Sequence, residues 1–410
     1  MRAMHFLVTE KLYHVEPGLL AFDARVLLVS RTDSRCEVVL DRTCFYPGGG
    51  GQPADTGILG ASRVVETAYR GEQIVHVVEP AWAAEALGTE VRGVVDAGRR
   101  RDFMEQHTGQ HIFSQALVRA GRLDTVSVHF GEEDTTIELA ADGVEERIIR
   151  MAEDIANGVI KENRRVIQHE IDPSEVSRFP LRRTPPDAGR LRIVEVESFD
   201  WAACGGVHVA SSGEVFLAKA VGQEKIRGRV RVHVMIGRRA LEDYGRKIAL
   251  VQGLSRTFTC GESSLETRVQ EMVAREKAAA RELRGLRVSQ AAAVADAAVA
   301  AAPGTGSVMI VRRVFDDLGP DYLKAFVERV TASPGRAAIA VDRGPAGFQW
   351  IVAHSLGDGL DLSALLPPLF DAARVKGGGR GGRMQGAGSR AADAEGFAAG
   401  VHEALARLLG

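Results

Sequence analysis

Several classes of protein are excluded by what this sequence lacks. It has only four cysteines, and Cys36, Cys44, Cys204 and Cys260 are too widely spaced for the disulfide framework of a small secreted domain. There is no apolar run of about 18 residues, and the start, MRAMHFLVTEKLY, lacks the apolar core of a signal peptide. Neither sign of charge is in excess, since 52 basic and 54 acidic residues give a formal net charge of −2. We therefore expect a soluble, cytoplasmic protein without membrane association, in which only local basic segments can contact nucleic acid.

Glycine is the residue in excess. It supplies 45 of the 410 residues, which is about 11% against roughly 7% in an average protein. Two clusters hold many of these glycines, FYPGGGGQPADTG at 45–57 and KGGGRGGRMQGAG at 376–388. The chain is 45% hydrophobic and has no Gly-X-Y period, so it is neither disordered nor collagen-like.

The sequence pattern predicts a multidomain α+β protein with four segments. Residues 1–95 contain β-branched and aromatic runs separated by turn residues, which predict a small β-barrel-like domain. Residues 96–240 mix helical and strand patterns and predict an α+β domain. Residues 241–302 predict a helical connector, either solvated or forming a coiled-coil dimer, and residues 303–410 predict a separate α/β domain.

Two histidine-containing pairs predict a metal site. His107 and His111, in QHTGQH, are four residues apart on a predicted helix, so both imidazoles project from one face. Cys204 and His208, in CGGVH, have the same spacing around a tight Gly-Gly turn. Three imidazoles and one thiolate suit Zn²⁺, which tertiary folding must bring within reach of all four groups.

The role of the zinc stays open at this point. A zinc metalloprotease is excluded because position 108 is threonine where the H-E-x-x-H motif has glutamate. Four protein ligands are typical of closed structural sites, whereas catalytic zinc keeps one position for water. The ion can polarise a water, hold a substrate group or stabilise the pocket.

Three motifs in order carry a resemblance to a known family. FYPGGGGQPADTG, QHTGQH and CGGVH resemble the editing domain of alanyl-tRNA synthetases and of the free-standing AlaX proteins, and more distantly the second additional domain of threonyl-tRNA synthetases. RVKGGGRGGRMQGAGS resembles the C-terminal domain, of DHHA1 type, that alanyl-tRNA synthetases share with DHH phosphoesterases. With both parts, nearly the whole chain is similar to the long form of AlaX. Because no aminoacylation sequence precedes the editing motifs, we expect a protein that edits in trans and does not charge tRNA.

The resemblance implies a zinc-dependent hydrolase for alanine tRNA mischarged with serine or glycine. Editing is needed because an alanine pocket cannot exclude glycine by size and rejects an added hydroxyl poorly. One Zn²⁺ per chain is expected on His107, His111, Cys204 and His208. As a bound thiolate, Cys204 is disfavoured as a nucleophile, which leaves direct attack by water.

Other residues of the first glycine motif are assigned roles by the same resemblance. Gln52 is expected to contact the substrate or orient water, and Thr43 to bind the seryl hydroxyl, unless Thr43 is only a half-buried strand residue. Gly49, Gly50 and Gly51 are expected to form a turn with positive φ whose backbone approaches the ester. Asp55 is expected to cap that turn and not to act as a general base.

Contact with tRNA is predicted for the basic C-terminal glycine loop. Arg374, Lys376, Arg380 and Arg383 lie in a stretch without acidic residues, which suits phosphate binding or simply a solvated loop. Two further basic stretches, 98–101 and 225–231, are candidates for the same contact. The resemblance also implies a homodimer. Two alternatives remain, a non-catalytic zinc-stabilised tRNA-binding module and editing of threonyl-type substrates.

Overall fold

The computed structural model describes residues 8–32, 35–82, 86–185, 189–302, 308–357, 359–370 and 374–409. The chain divides into two compact units, residues 1–253 and 254–410. Both contain helices and sheets, so the predicted multidomain α+β architecture is confirmed. The finer division into four segments stays a prediction. Within the described residues, no helix has the length and apolar character needed to cross a membrane.

The first unit begins with a short segment followed by a closed barrel. Strand β1 (Glu10–Lys11) and helix α1 (Leu12–Val15) come first, and β1 pairs in parallel with β4 (Arg42–Thr43). The barrel has the strand order β2-β3-β7-β6-β5-β8, formed by Ala21–Arg31, Cys36–Leu40, Gln73–Glu79, Ser62–Arg70, Gly57–Leu59 and Glu90–Val95. Buried and exposed residues alternate through the first half of β2, as expected where one face of a strand lines a core.

A helical layer follows the barrel within the same unit. Helix α2 (Ala97–Gly121) starts at Asp96, whose side chain accepts a hydrogen bond from the Arg99 N–H, and ends at Arg122 in left-handed conformation. Helix α3 (Glu146–Lys161) packs beside it. Between these helices, β9 (Thr125–Phe130) and β10 (Thr135–Leu139) form an antiparallel hairpin.

Two sheets complete the first unit. The four-stranded sheet has the order β14-β15-β10-β9, where β14 is Ala218–Ile226 and β15 is Arg229–Ile236. The three-stranded sheet consists of β11 (Val166–Ile171), β12 (Leu191–Val196) and β13 (Asp200–Ala203). Helices α2 and α3 and the four-stranded sheet share one apolar core, which also contains Val207 and Val209 on either side of the predicted ligand His208.

Two long helices occupy the predicted connector. Helix α4 (Arg238–Phe258) runs across the boundary between the units, and α5 (Leu265–Ala301) belongs to the second unit. The second unit has a five-stranded sheet of order β16-β17-β18-β20-β19, formed by Met309–Asp316, Arg336–Gly344, Gly347–His354, Arg383–Gly388 and Val375–Arg380. Its helices are α6 (Pro320–Val330), α7 (Leu362–Leu365) and α8 (Ala394–Leu409). Apolar clusters cover both faces of the sheet.

The second glycine cluster is a β-hairpin, and the prediction of a loop was wrong. Strands β19 and β20 pair in antiparallel fashion at the edge of the five-stranded sheet. A Cβ atom at Gly377 would lie 2.2 Å from Cζ2 of the buried Trp350, and one at Gly386 would lie 2.7 Å from the same atom. These two positions therefore require glycine so that the strands can pack closely on the indole ring, although glycine has a low intrinsic β propensity.

Candidate metal centre

The four predicted ligands come together in the first unit. The ligand atoms of His107, His111, Cys204 and His208 all lie within 4.8 Å of one another. Helix α2 supplies the first two, and the turn after β13 supplies the others. The Cys204 Sγ atom is 3.3 Å from His107 Nε2 and 3.4 Å from His208 Nε2. Tetrahedral zinc with bonds of about 2.0 and 2.3 Å separates nitrogen and sulfur ligands by roughly 3.5 Å, so the donor set fits this ion.

Each histidine is oriented by a hydrogen bond at its other ring nitrogen. The Nδ1 atoms of His107, His111 and His208 lie 2.7 Å from Gln52 Oε1, 3.2 Å from Asp200 Oδ2 and 3.1 Å from Thr108 Oγ1, respectively. A carboxylate only accepts, so the proton of neutral His111 is on Nδ1 and its Nε2 lone pair is free. Outer contacts of this kind are typical of histidines that bind a metal through Nε2.

Asp200 connects the centre to Arg182, whose side chain is half-buried. Asp200 is fully buried at the start of β13 and forms a salt bridge with Arg182 in addition to its bond with His111. Burial opposes ionisation of this carboxyl, but hydrogen bonding to His111 and the charge of Arg182 outweigh it and lower the pKa of Asp200. Asp200 is therefore an ionised acceptor that holds the His111 ring.

The protonation states of the cluster suit metal binding. Burial disfavours the thiolate of Cys204, but electrostatic interaction and hydrogen bonding with the neighbouring imidazoles outweigh it and hold the pKa of this thiol well below its usual range. Burial lowers the pKa of His208 to about 3. For His111 burial is outweighed by its bonds to Asp200 and Cys204, which raise its pKa to about 9. Metal binding at neutral pH must therefore displace a proton from His111.

The turn between Cys204 and His208 is held by hydrogen bonds to three consecutive backbone carbonyls. Arg192 Nη1 donates to Cys204 O at 2.8 Å and to Gly206 O at 2.7 Å, and His14 Nε2 donates to Gly205 O at 2.9 Å. Burial lowers the pKa of His14 to about 4, so its ring is neutral at pH 7. Neither Arg192 nor His14 was singled out from the sequence.

Gln52 lies behind the centre. Its Oε1 accepts from the His107 ring and, at 3.1 Å, from the Val207 N–H, so the oxygen faces the ligands. A Cβ on Gly206 would lie 2.2 Å from His107 Cε1 and 2.7 Å from this oxygen, so only glycine allows the approach. Gln52 is 3% exposed, and among the described residues no partner is found for its Nε2. The structure thus makes Gln52 an orienting group for His107, while contact with substrate stays a prediction.

An open cavity of about 600 Å³ adjoins the ligands. Its walls come from α1, the first glycine motif, α2, β9 and the segments around residues 182–185 and 202–206. The described residues that line it include the metal ligands His107, His111 and Cys204, but no aspartate or glutamate. Three cations, Lys11, Arg182 and Arg183, are part of the lining. Such a cavity lies within the size range of small-ligand sites and favours an anionic or neutral ligand.

The first glycine motif forms the predicted turn beside this cavity. Gly48, Gly49, Gly50 and Gly51 all have positive φ, between 58° and 143°. The backbones of Gly49 and Gln52 exchange two hydrogen bonds of 3.0 Å, which closes the turn. Gly49 and Gly50 line the cavity. Gly51 packs on β9, where a Cβ would lie 3.0 Å from Val128 O.

Thr43 lies apart from the ligands. It is fully buried, its Oγ1 is 2.8 Å from His76 Nε2, and it accepts from the Phe45 N–H at 3.0 Å. Thr43 does not line the cavity. Its predicted contact with a seryl hydroxyl therefore has no support from this geometry and stays a prediction.

Asp55 and Arg100 form a buried ion pair, so the basic stretch 98–101 does not present Arg100 to tRNA. Their side chains are 2% and 1% exposed. Asp55 accepts from the Tyr46 N–H at 2.6 Å, and Arg100 also donates to the carbonyls of Pro17 and Cys44. The expected capping role of Asp55 agrees with these contacts. Arg100 is a structural residue that joins α2 to the glycine motif.

The predicted tRNA contacts lie in the second unit. Arg374, Lys376 and Arg380 are exposed, and Arg383 pairs with Glu328 at 3.2 Å. Arg380 is directly opposite Arg383, and Lys376 is four residues before Arg380 on β19, so these three share one face. In the stretch 225–231, by contrast, Arg231 pairs with Glu138 at 2.6 Å.

Sequence reasoning missed most of the outer groups. Thr108 lies between the two helical ligands, and in the sequence it served only to exclude a protease. A polar residue on this buried turn of the helix was nevertheless a signal for a hydrogen-bonding role. Asp200 precedes Cys204 by four residues, which was a weak signal. Tyr69 and Lys11, which line the cavity, carried no signal because their proximity depends on the barrel.

Comparisons with known proteins find similarity to alanine–tRNA ligases and to an alanyl-tRNA editing protein. Residues 19–99 match the family described as tRNA synthetases class II (A). The chain is 30% identical over 402 residues to the alanine–tRNA ligase of Pyrococcus abyssi, which covers 94% of this chain and 42% of the ligase. It is 30% identical over 398 residues to that of Ignicoccus hospitalis, with 93% and 41% covered.

A shorter relative is an editing protein. The alanyl-tRNA editing protein AlaX-L of Pyrococcus horikoshii is 32% identical over 241 residues, covering 57% of this chain and 59% of AlaX-L. Among solved structures, the C-Ala domain of Aquifex aeolicus alanyl-tRNA synthetase aligns with 25% of this chain at 16% identity and a TM-score of 0.23, too low to support an argument. The chain spans less than half the length of the two ligases. Over more than nine tenths of its own length, this chain is homologous to alanyl-tRNA synthetases.

Proposed function

We propose that this chain is a zinc-dependent deacylase that hydrolyses the ester of alanine tRNA mischarged with serine or glycine. It acts in trans in the cytoplasm and does not charge tRNA. The observation that carries the proposal is the cluster of four ligands beside an open cavity that is free of carboxylates among its described lining residues. The similarity to a relative named an alanyl-tRNA editing protein supports this substrate class.

The residues of the cavity define what the protein itself contributes. When bound, zinc supplies Lewis-acid chemistry that polarises a carbonyl or acidifies a water. Cys204 and the three histidines would hold the ion, while Gln52, Asp200 and Thr108 orient the rings. Because Cys204 is a ligand and no described lining residue is a carboxylate, we assign the attack to water without a covalent intermediate.

The glycine turn is assigned to the ester end of the substrate. Gly49 and Gly50 line the cavity without side chains, so their backbone can approach the ester closely. Gly51 supports the turn from the side of β9. A site that hydrogen-bonds the seryl hydroxyl discriminates against alanine because its polar groups would be left unpaired. The proposal keeps Thr43 as the hydroxyl partner, and a Thr43→Val variant tests it by comparing seryl- with glycyl-tRNA.

Ester loss from purified tRNA tests the proposal. The full chain loaded with zinc is incubated with alanine tRNA carrying serine, glycine or alanine, and with threonyl-tRNA. We expect rapid loss of serine or glycine and retention of alanine. His107→Ala and Cys204→Ala should lose bound zinc and deacylation together, while His129→Ala, an exposed histidine outside the cluster, should keep both. Normal turnover in a zinc-free variant would refute the assignment.

The four-ligand count favours a second candidate, a zinc-stabilised tRNA-binding module without catalysis. If all four protein ligands stay bound, no position is left for water or substrate. The two candidates differ in the same assay, since the binding module should retain mischarged tRNA without releasing the amino acid. Release of threonine but not of serine would instead indicate threonyl-type editing.

Binding of tRNA is assigned to the edge hairpin of the second unit. Arg374, Lys376, Arg380 and Arg383 place cations on and beside β19 and β20, where glycines leave the backbone accessible. Binding of alanine tRNA to the full chain should weaken steeply with salt.

A homodimer is also proposed, through α5. Met272, Leu283 and Leu286 are 51%, 50% and 62% exposed on this helix, which leaves apolar surface for a second copy. Sedimentation equilibrium of the full chain should give a dimer that a Leu283→Glu/Leu286→Glu variant converts to a monomer. A monomer in the unaltered chain would refute the assembly.

A further inference from the structure

The side of the cavity formed by the barrel and the N-terminal segment carries an aromatic side chain that the proposed chemistry does not use. Tyr69, near the end of β6, lines the cavity and is 43% exposed. An exposed tyrosine at the edge of a cavity offers a flat aromatic face to a ligand. Resting on the proposed function, we infer that Tyr69 and Lys11 form the subsite for the terminal adenosine of the tRNA.

The orientation of the Tyr69 ring is fixed by a second tyrosine. The hydroxyl groups of Tyr13 and Tyr69 are 2.9 Å apart, and Tyr13 is completely buried. A ring held at its hydroxyl end loses little further freedom when a base stacks on it, which favours binding. Tyr69 is therefore a preorganised stacking surface.

Aromatic contacts connect this surface to the glycine turn. The Tyr13 ring packs edge-on against Tyr46 with centroids 5.5 Å apart, and the Tyr46 hydroxyl donates to Gly49 O at 3.0 Å. Tyr46 and Gly49 line the cavity as Tyr69 does. A nucleotide whose ester lies beside the glycine turn can thus extend along one wall to the Tyr69 ring.

Lys11 supplies the charge that a nucleotide needs. Its Nζ is 5.2 Å from the centre of the Tyr69 ring. The other two cations of the lining are already engaged, Arg182 by Asp200 and Arg183 by the carbonyls of Thr125 and Val126. Within the described part of the chain, no carboxylate lies within ion-pair distance of Lys11. Its ammonium group lies over the Tyr69 ring in a cation–π contact but has no carboxylate partner among these residues, so it can bind the phosphate that precedes a base stacked on Tyr69.

The test uses a probe that needs no hydrolysis. A CCA trinucleotide ending in 2-aminopurine, whose fluorescence is quenched by stacking, is titrated into the full zinc-loaded chain. Tyr69→Leu should weaken binding by about 5- to 150-fold and abolish the quenching. Tyr69→Phe loses the same hydroxyl but keeps the ring, so it should retain the quenching and lose less affinity than Tyr69→Leu. Tyr244→Leu, which removes a tyrosine 63% exposed on α4, is the matched control and should have no effect.

Lys11 is tested in the same titration. Lys11→Met should weaken binding, reduce the salt dependence by about one phosphate contact and leave the quenching of the bound probe unchanged. Quenching and affinity in Tyr69→Leu equal to those of the unaltered chain would overturn the inference.

Deacylation of seryl-tRNA separates this inference from the proposed function. If both hold, Tyr69→Leu raises KM while kcat and zinc content stay close to normal. Hydrolysis with an unchanged KM in Tyr69→Leu would refute the subsite and leave the proposed function intact. Tyr69-dependent binding of the probe without any hydrolysis would keep the subsite and refute the deacylase.

Discussion

Replacing Arg100 by methionine isolates the contact that joins α2 to the first glycine motif. The methionine fills much of the same volume but has no charge and no donors. Arg100 donates through Nη1 to Pro17 O at 2.8 Å and through Nε to Asp55 at 3.1 Å, while Nη2 contacts Asp55 and Cys44 O. The change therefore leaves one carboxylate and two carbonyls without these partners.

The expected loss of stability follows from the burial of those partners. Asp55 is 2% exposed and would keep the Tyr46 N–H as its remaining donor. Removing one member of a buried ion pair costs about 3–5 kcal/mol, because the other charge stays buried without compensation. The two carbonyls add about 1 kcal/mol each where no water replaces the donor. We expect Arg100→Met to lower the free energy of unfolding of the first unit by about 5–7 kcal/mol.

Urea unfolding followed by tryptophan fluorescence and circular dichroism measures this change. Two tryptophans, Trp82 and Trp201, lie in the first unit and report on it. Arg101→Met is the matched control on the next residue of the helix, where the side chain is 63% exposed and pairs with Glu105. Arg101 is largely in solvent, although Glu105 is only 7% exposed, so the control should be clearly less destabilised than Arg100→Met.

A double variant checks the cause of the loss. Arg100→Met combined with Asp55→Leu leaves no buried carboxylate, so it should be less destabilised than the sum of the two single variants. If Arg100→Met is no more destabilising than Arg101→Met, the buried pair does not hold the glycine motif and the reasoning is wrong.

Three further predictions each test one residue of the structure. Asp200→Asn removes the charged acceptor of His111 and should lower metal affinity by about 10- to 100-fold in a chelator competition, without loss of fold. Burial lowers the pKa of His76 to about 4, so the unfolded chain takes up its proton first as the pH falls. Stability should therefore drop between about pH 6.5 and 4 by up to about 3 kcal/mol, and less in His76→Gln; an equal drop in both would contradict this. Arg380→Gln should lower the salt dependence of tRNA binding by about one phosphate contact, whereas an unchanged slope would remove this residue from the interface.

The sequence was sufficient for the parts of the site that depend on local spacing. His107 and His111 share a face because a helix repeats every 3.6 residues, and α2 places both in the cluster. Gly-Gly between Cys204 and His208 predicted the tight return of the chain that the second pair needs. Residue type and spacing thus identified four residues that the fold does bring together.

The outer contacts could not be predicted, because they depend on which elements meet. Asp200 and His111 are 89 residues apart in the sequence. Their hydrogen bond forms because the fold places β13 against α2. The C-terminal hairpin was missed for a similar reason. Its glycines have low strand propensity, and their conformation is set by packing on Trp350.

The sequence pattern changes at residue 95, but the candidate metal centre is formed from both sides of that position. Gln52 comes from the segment before it and holds both the His107 ring and the Val207 N–H. Arg100, from the segment after it, holds Asp55 and the carbonyl of Cys44. The orientation of His107 therefore depends on the glycine motif, and the position of that motif depends on α2. Residues 96–240 contain all four ligands, yet expressed alone they would lack the acceptor that fixes the His107 tautomer. The metal centre therefore depends on the segment before residue 95 as well as on the segment that carries the ligands. Both segments belong to one compact unit.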